Sequence, residues 1–134
     1  MRSTRRIAGS DRGAAAVEFA IVLPLLLLIV FGVIDFGRVL FSQVTLTQAA
    51  REGSRLEALS QDDMEARTQD AATGLSGVRV VPVGECPEDP DAIIRVEYTF
   101  DFVTPVGGIG SMLGGGGYGD SLEMSAEGVM PCEG

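Results

Sequence analysis

The sequence predicts an α+β fold: a long N-terminal membrane-spanning helix that extends into a small extracytoplasmic head with a short antiparallel three-stranded sheet. Three observations predict it. Residues 14–34 form a 21-residue apolar run whose single charge is Glu18. Apolar residues then recur at steps of three and four as far as Leu56. Three later stretches alternate apolar and polar residues at the period of a strand. A chain of 134 residues holds one domain, and the part left beyond the helix is small with a thin core. The expected organisation is a cytoplasmic basic leader over 1–13, the helix and its extension over 14–59, and an α+β head over 60–134.

The apolar run comes first. At about 1.5 Å per residue it reaches the roughly 30 Å of a bilayer core. A removable signal peptide is the alternative, but Gly32, Val33, Ile34 and Asp35 make no small-x-small cleavage site. No cysteine lies nearby for lipoprotein processing. Arg2, Arg5, Arg6 and Arg12 against Asp11 give residues 1–13 a net charge of +3, whereas six Arg against seventeen acids give residues 35–134 a net of −11. Basic before the run and acidic after it is the pattern of a single-pass protein of the cytoplasmic membrane, with the N-terminus in the cytoplasm and the bulk outside. Membrane lipid is therefore an expected partner. Nucleic acid is not, because it needs cationic surface. Pro24 predicts a kink within the run.

Helical spacing continues through Phe36, Val39, Leu40, Val44, Thr47, Ala50, Gly53 and Leu56, which predicts one apolar face on a helix reaching about residue 59. That face either docks the head or meets partner helices, the first being expected as its main use. Asp35 and Arg38 are spaced to pair at i, i+3. Ser60 with Asp63 reads as a capping box and Gly74 as a C-cap, giving a short, mostly polar, solvated helix over about 61–73. The strands follow at 78–83, with Pro82 marking an edge, at 92–103, and at 121–130. In the second, Val96, Tyr98, Phe100 and Phe102 oppose Arg95, Glu97, Thr99 and Asp101. In the third, Leu122, Met124 and Ala126 oppose Glu123, Ser125 and Glu127. Three such strands bury one face against the helix.

Residues 105–119 are a Gly-rich connection. Gly114, Gly116 and Gly119 match a dinucleotide fingerprint only in spacing, with no βαβ unit around them. The acidic turn 85–91 lacks the ligand spacing of an EF-hand, leaving a solvated turn as the first reading and a calcium site as the second. Cys86 and Cys132 are the only cysteines, each following a strand; outside the membrane such a pair reads as a disulfide. The chain has no His and no Lys, so the usual activators of a nucleophile are missing. No enzyme activity, cofactor or metal is expected.

Glu18 remains. A carboxylate is costly inside a membrane segment. It either snorkels to the cytoplasmic interface beside Arg12 or has a partner. A cut after Gly13 would free the amine of Ala14, making Glu18 the fifth residue and Phe19 the sixth. In a bundle of such helices Glu18 of one subunit would meet the amine of a neighbour and set an axial stagger. Here "RGAAAVEF" (12–19), ahead of the long apolar helix, resembles the processing site of the type IV pilin-like proteins of the Tad (tight adherence) system, most closely the TadE-like minor pseudopilins. The resemblance continues through "DFGRVLFSQVTLTQAAREGSR" (35–55), touches "EGVMPCE" (127–133), and is weak across 60–120. It implies a minor pilin-like subunit of an adhesion pilus or secretion apparatus. Such a subunit would be cleaved between Gly13 and Ala14 by prepilin peptidase, with Glu18 and Phe19 as the processing and assembly motif. Its partners would be other pilin-like subunits and the Tad assembly machinery, with a surface pilus as its destination. Major Tad pilins resemble much shorter chains, so a folded head implies a minor or priming role. The competing function is an unprocessed single-pass anchor carrying an extracytoplasmic interaction module.

Overall fold

The computed structural model describes residues 10–104 and 121–132, with side chains from Gly13 onward. The leader before Ser10, the Gly-rich connection 105–119 and Glu133 lie outside the described residues. The element order is α1 (Ser10–Ala58), α2 (Met64–Ala71), β1 (Arg79–Gly84), β2 (Asp91–Asp101) and β3 (Ser121–Pro131). The strands form one antiparallel sheet in the order β1-β2-β3. A long apolar helix packed against a three-stranded antiparallel sheet is the α+β arrangement that the sequence predicts.

α1 is a single helix of 49 residues that runs unbroken through Pro24. From Gly13 to Ile34, Leu, Ala, Ile and Val at nearly every position leave Glu18 as the single polar side chain able to compete for the backbone. Its end is set by a Schellman turn. Ser60 takes a left-handed φ of 51°, and its N–H donates to the Glu57 carbonyl at 2.9 Å while Gln61 N–H donates to Leu56 O at 3.1 Å. Ser60 therefore closes α1 and does not open the next helix. The expected capping box is absent: Asp63 occupies the N-cap of α2 without a side-chain bond. α2 is shorter than 61–73, and the positive φ of Gly74 follows its end.

Nor is α2 wholly solvated. Thr68 is fully buried beneath it, its hydroxyl donating to Met64 O at 2.7 Å. A Cβ on Gly53 would stand 2.8 Å from Thr68 Oγ1, so the glycine of α1 lets the two helices close.

The core forms where α1 crosses the inner face of the sheet. Leu46 and Ala50 from α1 meet Val80, Ile94, Val96, Phe100, Met124 and Ala126. The alternation predicted for β2 and β3 holds, Ile94, Val96 and Phe100 being almost completely buried. Burying each such side chain contributes roughly 1.5–3 kcal/mol. β1 lies at an edge, and its register with β2 shifts between Pro82 and Gly84.

The docking face of α1 matches the expected one only in part: Ala50 and Leu56 are buried and Val39 packs on the core. Phe36, Leu40 and Val44 are exposed at 64%, 50% and 57%, while Asp35, Ser42, Thr45, Leu46, Ala49 and Ala50 are buried. The reason is distance. At Gly128 of β3 a Cβ would overlap the carbonyl oxygen of Ala50 and stand 2.8 Å from Arg51 N. Helix and strand touch backbone to backbone there, so small side chains line the seam and bulky ones turn away.

Candidate functional site

The residues marked by sequence, Gly13, Ala14, Glu18 and Phe19, all lie on the first three turns of α1, and all are exposed. The Gly13–Ala14 bond falls at the end of the first turn, where N–H groups have no intrahelical acceptor and the helix opens most easily. Among the described residues no side chain packs within 4 Å of a Cβ placed on Gly13. Ala14 and Glu18 are four residues apart, which stacks them on one face with about 6 Å of axial rise between them. Among the described residues Glu18 meets no cation within ion-pair range. Phe19 is 63% exposed, and the apolar run after it offers nothing but hydrocarbon, with none of its 18 most apolar consecutive residues buried inside the protein. The segment is thus a lipid-compatible rod with a single carboxylate near its start. It makes contacts only by meeting something outside the chain.

A second polar group sits where the head begins. Asp35 is 3% exposed. The Thr104 hydroxyl donates to Asp35 Oδ2, and Arg38 Nη1 lies 3.5 Å from Oδ1, the pair that the i, i+3 spacing predicts. Arg38 also donates to Asp101 O at 3.4 Å and stacks 4.8 Å over the Phe100 ring. Two residues at the end of β2, Phe100 and Asp101, are so tied to the helix just after the apolar run. A buried carboxylate persists only with such partners.

At the far end of the head Cys86 and Cys132 form a disulfide across 46 residues. It joins the acidic turn after β1 to the end of β3. Within that turn Glu85 N–H donates to Asp89 Oδ2 at 3.2 Å and Asp89 N–H returns to Glu85 O at 2.9 Å. Among the described residues no three metal-ligating side chains converge. A disulfide fits an extracytoplasmic head, as an apolar helix fits membrane anchoring.

Sequence reasoning did not single out Gly128, Thr68 or Thr104. Gly128 carried a signal, a lone glycine inside an alternating strand, which marks close approach of another backbone. Thr68 and Thr104 carried none, since their roles depend on what folds against them.

No curated protein and no solved structure matches the chain. A family model described as TadE-like protein matches residues 13–55, from the glycine of the proposed cut to the last turn of α1. That family comprises structural, pilus-associated proteins, and it accounts for the helix and leaves the sheet to this chain. Over residues 13–55, about a third of its length, the chain is similar to the TadE-like protein family.

Proposed function

We propose that this chain is a minor pilin-like subunit of a Tad-type pilus or secretion apparatus. Prepilin peptidase cuts it between Gly13 and Ala14, and it assembles with other pilin-like subunits and the Tad machinery through the first half of α1. The observation that carries this reading is the position of the family match, which starts at Gly13, where the basic leader ends. A membrane anchor alone has no use for a defined amine at that junction. The folded head supports a minor or priming role in preference to that of a bulk fibre subunit.

Intact mass of the protein from its native host tests the cut. The expected species has lost residues 1–13 and keeps 121, that is 134 less 13. A chain that still starts at Met1 would sink the proposal and leave the unprocessed anchor.

The stagger set by Glu18 is tested separately. Glu18→Gln is nearly isosteric and easier to bury than a carboxylate, so insertion is expected to hold. It withdraws the full charge from the bond to a neighbour's Ala14 amine, so surface piliation is expected to fall about tenfold, as for a loss on the order of 1.5 kcal/mol per contact. Normal piliation with the mutant incorporated would refute the register role. Loss of cleavage would assign Glu18 to recognition by the peptidase.

A further inference from the structure

The face of α1 turned away from the sheet is apolar for longer than the face turned toward it. On the sheet side the apolar run stops at Asp35. On the back, exposed apolar residues continue at steps of three and four: Val22, Leu26, Ile29 and Val33, then Leu40 and Val44, with Gly37 between. Only at Gln48 does that face turn polar, and Arg51 and Arg55 follow on the same line. The mismatch is ten residues from Ile34 to Val44, about 15 Å of helix.

We propose that lipid covers this back face as far as Val44, so that the head sits down into the outer headgroup layer and is not held above it. This rests on the reading that α1 spans a membrane. Four observations converge on lipid. The stripe keeps the line and spacing of the spanning segment, so whatever solvates Leu26 also borders Leu40. The one carboxylate that α1 itself carries at that depth, Asp35, is sealed on the opposite side by Thr104 and Arg38. Arg51 and Arg55 come next on the stripe, where long cationic side chains reach lipid phosphates although the head is acidic overall. The lengths also agree. With Glu18 at the inner headgroups, the 26 residues from Phe19 to Val44 span about 39 Å, which is close to the roughly 40 Å of a bilayer with its interfaces.

The chain contains no Trp, so single Trp variants report depth without background. Leu26→Trp, Leu40→Trp and Val129→Trp, all at exposed positions, are made in the full chain. Each is placed in vesicles of phosphatidylcholine and phosphatidylglycerol, with or without bromine on the acyl chains near the headgroup. Absence of free thiol certifies the fold of each. The expected result is quenching of Leu40→Trp within about a factor of two of Leu26→Trp, and none for Val129→Trp on the outer face of the sheet. Water-like, unquenched Leu40→Trp beside quenched Leu26→Trp overturns the seating of the head while leaving the span intact. Blue-shifted but unquenched Leu40→Trp that follows protein density overturns it in favour of a second copy of the chain. Unquenched Leu26→Trp removes the span itself, and the proposal with it.

Discussion

Gly128→Ala is expected to destabilise the head by about 3 kcal/mol or more, or to prevent its docking on α1 altogether. The added carbon would meet the carbonyl oxygen and carbon of Ala50 and the nitrogen of Arg51. All three are helix backbone, so no side chain can rotate out of the way. The only relief is to lift β3 from α1, which opens the contact around Leu46, Met124 and Ala126. Gly37→Ala is the matched control. Among the described residues nothing lies within 4 Å of its would-be Cβ, and a helical Gly→Ala change stabilises by up to about 1 kcal/mol. Urea unfolding of both variants in detergent, followed by protease sensitivity of the head, separates them. Equal stability for the two would refute the backbone-to-backbone seam.

The double variant Cys86→Ser, Cys132→Ser is expected to lose about 4 kcal/mol. The bridge closes 46 residues of sequence, and the chain-entropy relation gives that figure for a loop of this size. Against the 5–15 kcal/mol of an ordinary domain, this is a large share for so thin a core. The bond also holds the two edges of the sheet in fixed relation, since Cys86 follows β1 and Cys132 follows β3. Urea midpoints of the wild type and the double variant, compared without reductant, measure the loss. A change below about 1 kcal/mol would mean that the acidic turn and the bond from Cys132 N–H to Pro90 O hold that end unaided.

The parts of this fold that were legible in the sequence are those governed by periodicity. The helix, the three strands and the inward residues of β2 and β3 all follow from repeats of 3.6 or 2, and Pro82 adds the edge position of β1. The docking face of α1 follows only in part. Hydrophobicity points to Phe36, Leu40 and Val44, but contact with the sheet selects for small volume, and Ser42, Thr45 and Ala49 are buried with little hydropathy of their own. Ser60 misled for a related reason: the same residue type caps a helix start or tolerates a left-handed turn, and only the neighbouring bonds decide which. The segment proposed for processing stands out in the sequence because its signal is linear. A basic leader, a glycine, a glutamate and a bilayer-length run need no tertiary partner to be recognised.

The seam between α1 and β3 has a mechanical consequence. Gln43 Nε2 donates to Ser125 O at 3.3 Å, and Ala50 abuts Gly128. Seven residues of helix and three of strand each advance about 10 Å, so β3 runs alongside α1 in the same direction. A pull along the helix axis therefore loads this seam in shear, straining its contacts together and not one after another as in peeling. Tension applied to the membrane end of the rod passes into the head as a unit, and the weak direction for separating the two is sideways.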